Sequence, residues 1–167
     1  SMFEGEKLFE EGQKHLNIVC LDISDTSFWL CLEKGIVRRF NVNNFTEQDS
    51  LNLSRTPKRI YVNRNETCIS SLDQFSRLEV ASVKSVLSNP CSYESILVLT
   101  GVNDFMWSFN STEFAYSVKN KIWEQSVDKL GGKVAAVTGD TATGASNEKT
   151  GTLYDSTKSI QTDNILI

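Results

Sequence analysis

The chain has 167 residues, of which 40% are hydrophobic, and it carries a formal net charge of −4. This length and apolar content support one domain with a single core plus tails. The acidic balance argues against a nucleic-acid binder, which needs a surplus of basic residues to neutralise phosphates, and no apolar run approaches the roughly 18 residues of a membrane span.

An N-terminal arm and a succession of short strands are predicted for the first part of the chain. Residues 1–14 are charged, with Phe3, Leu8 and Phe9 as apolar points, and predict an arm or short helix that packs on the domain. Short apolar or alternating runs bounded by turn residues then predict strands. These strands are predicted at 17–23, 28–32, 36–42, 59–63, 67–72, 77–87, 96–99 and 105–109. The polar segment 41–55 is predicted as a surface loop.

The segment that follows the last of these strands predicts a helix over residues 111–130. Asn110 and Glu113 have the spacing of a capping box at its start. Its apolar arc on a helical wheel is wider than a surface helix needs. The interpretation that we favour is a helix lying deep across the open end of a barrel. The alternative is an exposed ledge, formed by Tyr116 and Trp123, that binds a partner.

Two segments of different composition complete the chain. Residues 131–152 are rich in Gly, Ala, Thr and Ser and predict a flexible linker. Residues 153–167 are more apolar and β-branched, and they predict a separate binding segment. The domain itself is therefore predicted to cover residues 15–130.

Residue types that carry catalysis or bind metals are sparse and poorly grouped. His15 is the only histidine, and no serine or cysteine nucleophile accompanies it. The four cysteines are widely spaced, unlike the paired ligands of a metal site. We therefore predict no enzyme, no metal and no cofactor. Unpaired cysteines favour a reducing compartment, so we predict a cytoplasmic protein, with association with a membrane or the cytoskeleton left open.

The order of many short strands, an aromatic last strand and a capped helix resembles the pleckstrin-homology-like superfold. The resemblance covers residues 15–130 and is strongest where the run Phe105-Met106-Trp107-Ser108-Phe109-Asn110-Ser111 leads into the predicted helix. It implies an α+β fold: a bent antiparallel barrel or sandwich of about seven strands, capped by one C-terminal helix whose Phe114 or Trp123 plugs the barrel. It also implies a non-enzymatic adaptor module that binds proteins in the cytosol.

A second resemblance leads to a different fold. Residues 17–42, which include Asp25-Thr26 and Gly35, are similar to one blade of a WD-repeat propeller. Fainter echoes begin near Ile60 and Ile96, at a spacing of roughly forty residues. A closed propeller needs at least about four blades, and a helix over 111–130 has no place within a blade. A WD-repeat-type scaffold fragment is therefore the alternative fold and function.

Basic residues near the second hairpin define an alternative membrane function. The superfold members that bind phosphoinositides usually carry Lys or Arg in the first hairpin loop, whereas residues 22–26 of this chain are acidic. If the domain nevertheless binds a phosphoinositide, basic side chains close in sequence would contact the head group. These residues are Lys58, Arg59, Arg64, Arg38 and Arg39.

A short C-terminal motif indicates a protein partner. The run Lys158-Ser159-Ile160-Gln161-Thr162-Asp163 resembles the segment recognised by the small dimeric dynein light chain, which favours a Gln-Thr core with Lys upstream. The resemblance implies strand addition, in which Ile160 and Thr162 enter pockets on either side of Gln161. The alternative is that the tail docks on its own domain through residues 165–167.

Overall fold

A computed structural model of the chain describes residues 16–130, 135–137 and 151–155. These residues form thirteen strands, one α-helix of six residues and two 3₁₀ turns. The strands are β1 (Ile18–Ile23), β2 (Ser27–Leu32), β3 (Ile36–Asn41), β4 (Glu47–Asn52), β5 (Arg59–Val62), β6 (Cys68–Leu72), β7 (Leu78–Ser82), β8 (Leu97–Leu99), β9 (Val102–Trp107), β10 (Glu113–Val118), β11 (Lys121–Ser126), β12 (Ala135–Val137) and β13 (Gly151–Asp155). Helix α1 is Val83–Ser88, and the 3₁₀ turns are Glu33–Gly35 and Val127–Lys129.

The strands are arranged in three sheets that stand side by side. The first sheet has the order β1-β2-β3-β4, the second β5-β6-β7-β8-β12, and the third β9-β10-β11-β13. All pairs are antiparallel except β12 with β8. Strand β5 contacts both β1 and β9. The first strands of the three sheets are therefore neighbours, and the sheets extend outward from them like blades.

Each pair of neighbouring sheets buries one apolar face against the other. The alternation of β2 directs Trp29 and Cys31 toward the second sheet, where they pack with Ile60 and Ile69. The cluster between the second and third sheets is formed by Leu78, Leu97, Phe105, Phe114 and Tyr116, among others. The core of the described chain is thus two inter-sheet layers, with a smaller buried cluster of Leu30, Leu32 and Phe40 on the outer face of the first sheet, rather than the interior of one barrel.

The helix predicted over 111–130 is wrong, because this segment forms the hairpin β10–β11. Phe114, Tyr116 and Val118 are buried and the residues between them are not, which is the period of a strand. On a helical wheel the same residues spread over a wide arc, and this accounts for the excess width. Asn110 still accepts hydrogen bonds from the backbone N–H groups of Thr112 and Glu113, but it closes the β9–β10 loop.

The coarse fold prediction of antiparallel strands is confirmed, whereas the arrangement as one barrel of about seven strands closed by a helix is not. The hairpin predicted from 59–63 and 67–72 is present as β5–β6. The segment 41–55, predicted as a loop, contains β4, and the second half of the strand predicted at 77–87 is α1. Within residues 131–152, residues 135–137 form β12 and β13 begins at Gly151; the other residues of that segment lie outside the described part, so the proposed domain boundaries stay predictions.

Candidate partner-binding surface

One peptide group of β5 joins the three sheets. The N–H of Val62 donates to Oδ2 of Asp22 in the first sheet, at 2.6 Å. The carbonyl of Tyr61, in the same peptide group, accepts from Nε1 of Trp107 in the third sheet, at 3.0 Å. Burial raises the pKa of Asp22, although the hydrogen bond from Val62 opposes the shift. Side chains of the first and third sheets thus satisfy the hydrogen-bonding groups of the β5 backbone at its inner edge.

The three hairpin loops at one end of the sheets are held to each other. Asn63 donates from Nδ2 to the carbonyl of Ser111 at 3.0 Å, and the N–H of Asn65 donates to Oγ of Ser111, also at 3.0 Å. The carboxylate of Glu66 accepts from the hydroxyls of Ser24 and Thr26, the latter at 2.8 Å. The middle loop therefore anchors the first and the third, and the loop end of the molecule is preorganised.

An exposed aromatic and arginine pair lies on this end. Nε of Arg64 is 2.7 Å from Oδ2 of Asp25, and its guanidinium carbon lies 4.7 Å from the ring centroid of Phe109. Phe109 is 83% exposed, so its ring is offered to solvent rather than to the core. These residues line a recess of about 420 Å³. We define the hairpin surface as Asp25, Arg64, Ser108 and Phe109.

A second groove, of about 680 Å³, runs along β9 beside the hairpin surface. Met106 is 72% exposed on its wall. The polar groups of the groove include Tyr61, whose hydroxyl donates to Oδ1 of Asp104 at 3.4 Å. Burial raises the pKa of Tyr61, with the carboxylate of Asp104 acting in the same direction. The groove therefore holds a neutral phenol beside a carboxylate, and Arg59 lies at its rim.

The basic residues predicted to contact a lipid head group do not form one cluster. Arg38 is 3% exposed and pairs with Glu47, with Nε 2.9 Å from Oε1. Arg39 pairs with Asp49 and Glu66 and lies over the ring of Trp29. Adjacent residues of a strand point to opposite faces, so Arg38 and Arg39 are on opposite sides of the first sheet.

The two partner residues predicted within the domain are not a surface ledge. Tyr116 is 2% exposed and packs in the cluster between the second and third sheets. Trp123 is directly opposite Tyr116 in the β10–β11 pair and is half-buried. The C-terminal motif, Lys158 to Asp163, lies outside the described residues. Its part in binding stays a prediction.

Sequence reasoning missed the hairpin surface because its residues are distant in the chain. Asp25 and Arg64 are 39 residues apart, and no local pattern links either to Phe109. The repeat spacing of roughly forty residues was the one available signal, since equivalent loops of repeated blades lie at the same end. Among the described residues no group of His, Cys, Asp and Glu could hold a metal ion, and no helix is long and apolar enough to cross a membrane.

The first four strands of each sheet are antiparallel and follow one another in chain order, and the sheets are neighbours along their first strands, which is the arrangement of blades in a propeller. Among solved structures, the chain is similar to the crystal structure of the C-terminal WD40 domain of Sif2, with a TM-score of 0.50 and 19% sequence identity. The match covers 72% of this chain and 33% of that chain, so the chain spans about a third of the domain that it matches. At this identity the similarity shows the fold alone. It agrees with the alternative fold from the sequence, a WD-repeat fragment.

No family model matches the chain, and no curated protein matches it.

Proposed function

We propose that this chain is a WD-repeat-type scaffold fragment that binds a protein partner at its hairpin surface and performs no catalysis. The observation that carries the proposal is the mutual anchoring of three loops beneath an exposed Phe109 and its Arg64 neighbour. A preorganised surface loses little conformational entropy on binding. Aromatic and arginine side chains are also the types that dominate the energy of protein interfaces.

Selection of displayed random peptides against the full chain tests the hairpin surface. We expect peptides enriched on the wild type to lose binding to Arg64→Ala and Phe109→Ala, with thermal midpoints close to wild type because both side chains are exposed. Lys119→Ala is the matched control, since its turn lies at the opposite end of the third sheet. Selected peptides that bind all three variants equally would contradict the proposal.

The C-terminal motif is proposed as a second contact, with a dynein light chain as its partner. Strand β13 is the outermost strand of the third sheet and ends at Asp155. Lys158 follows three residues later, so the motif begins within about 10 Å of that outer edge. A short tether to an outermost strand supports the proposal, because an extended segment that follows such a strand can add to a partner's sheet.

Titration calorimetry of the full chain with purified light chain tests this contact. We expect measurable heat with the wild type, loss of heat with the double variant Gln161→Ala and Thr162→Ala, and retained heat with Asn164→Ala outside the motif. The absence of heat with the wild type would refute the light chain as partner. It would leave the hairpin surface to be judged by the peptide selection.

Phosphoinositide binding has less support than protein binding. Three of the five candidate arginine and lysine side chains, at positions 38, 39 and 64, pair with carboxylates of the domain. Lys58 and Arg59 are exposed and would have to supply the contact. Binding to phosphoinositide vesicles that is abolished by Lys58→Glu with Arg59→Glu would favour the membrane function instead.

A further inference from the structure

The outer face of the first sheet, on the side away from the second sheet, carries exposed apolar side chains. Ile18, Leu21 and Ile23 of β1 are 55%, 64% and 69% exposed. They lie opposite Leu32, Leu30 and Phe28 of β2, of which Leu30 and Leu32 are buried. A groove of about 630 Å³ runs over Ile18, Leu21, Ile23 and Phe28. A contiguous apolar surface of this kind is uncommon on a soluble monomer unless something covers it.

The described part of the chain begins at this face. Leu16, where the described part begins, packs against Leu30, Leu32 and Phe40 of the outer face. Fifteen residues span about 22 Å as a helix and about 50 Å when extended. A sheet of four strands is about 15–20 Å wide. The segment is therefore long enough to cross the whole face from its point of attachment.

The composition of that segment suits the face. Residues 1–15 contain Phe3, Leu8 and Phe9 among charged and polar residues, so docking through the apolar side chains leaves the charges in water. The face also carries Arg38, whose charge is neutralised by pairing with Glu47 at the edge of the sheet. Phe28, on the same side of the sheet, stacks on Phe40 with ring centroids 4.9 Å apart, and its ring centroid lies 5.8 Å from that of Phe45.

We propose that residues 1–15 dock on the outer face of the first sheet, with Phe3, Leu8 and Phe9 covering Leu21 and Ile23. Tethering favours this occupant over a second copy of the chain. A segment joined directly to the face has an effective concentration in the millimolar range, whereas free copies at micromolar concentration are far more dilute.

Two substitutions in the full chain, Leu8→Asp with Phe9→Asp, test the proposal without touching the described fold. We expect the wild type to sediment as a monomer and to bind little of a hydrophobic dye such as ANS. The double variant should bind severalfold more dye, and adding Leu21→Asp to it should return the signal toward the wild-type level. Gly5→Asp with Gln13→Asp adds the same charge at polar positions of the segment and should behave as the wild type.

Two results would overturn the proposal. One is dye binding by the Leu8→Asp and Phe9→Asp variant that equals the wild type. The other is a wild-type dimer that Leu21→Asp dissociates while the segment variants leave it intact, since the face would then be covered by a second copy. Neither result bears on the hairpin surface, which the peptide selection tests separately.

Discussion

Glu66 shows how one side chain secures the loop end of the molecule. Burial opposes its ionisation, but hydrogen bonds from Ser24, Ser27 and Thr26 and the charge of Arg39 outweigh that cost, so its pKa lies below the ordinary value of 4.5. Its stabilising contribution is therefore complete above pH 4.5 and lost as the pH falls through the lower native pKa. We expect Glu66→Gln to cost roughly 1–2 kcal/mol at pH 7, and urea unfolding should show this difference shrinking in acid.

Asp22 should show the opposite dependence of stability on pH. Burial raises its pKa above the ordinary value of 3.8. The wild type should therefore lose stability relative to Asp22→Asn as the pH rises from that value through the raised native pKa. Urea midpoints measured for both pairs over the same pH range would contradict the assignment if the two slopes had the same sign.

The side chains of Phe114 and Tyr116 differ sharply in what they contribute to the stability of the fold. Phe114 is 2% exposed and lies within 5.1–6.2 Å of three other aromatic rings, so Phe114→Ala should cost about 3–5 kcal/mol. The hydroxyl of Tyr116 is buried and has no hydrogen-bond partner in the described part of the chain. Tyr116→Phe should therefore be neutral or stabilising by up to about 1 kcal/mol. Thermal unfolding of both variants tests the pair, and a strongly destabilising Tyr116→Phe would refute it.

At the scale of elements, strands with a clear apolar alternation were predictable and those with other determinants were not. The hairpin β5–β6 follows directly from its pattern. Strand β4 does not, because cross-strand ion pairs of Arg38 and Arg39 with Glu47 and Asp49 hold it, and its own sequence is polar. The hairpin β10–β11 was mistaken for a helix because a cap-like Asn110 precedes it and its two-residue turn contains neither Gly nor Pro.

That turn supplies a test of hairpin against helix. Lys119 has a φ of 54° between strands that pair Val118 with Lys121, a conformation that favours glycine. Lys119→Gly relieves a left-handed strain of about 1–2 kcal/mol and adds unfolded-state entropy that costs about 0.4–1 kcal/mol, so the hairpin should be stabilised by up to about 1 kcal/mol. The same change in the middle of a helix would cost about 1 kcal/mol. Urea unfolding gives the sign, and a destabilised Lys119→Gly variant would contradict the hairpin.

At the scale of the whole molecule, the arrangement of the sheets depends on contacts that no local pattern reveals. The spacing of roughly forty residues correctly indicated repeated units. The contacts that assemble those units, such as Asp22 with Val62 and Trp107 with Tyr61, join residues 40 and 46 positions apart. Because the hairpin surface is a product of this assembly, its residues become a site only once the three sheets are side by side.

Three sheets, joined at the Tyr61–Val62 peptide, present one fixed hairpin surface. Solution NMR of the full chain tests it most directly through nuclear Overhauser effects (NOEs). We predict cross-strand NOEs between β9, β10 and β11, strand-type chemical shifts over residues 113–118 and 121–126, and contacts from Trp107 to Tyr61. Helical shifts over 111–130, or the absence of contacts between Trp107 and Tyr61, would contradict this arrangement of the sheets.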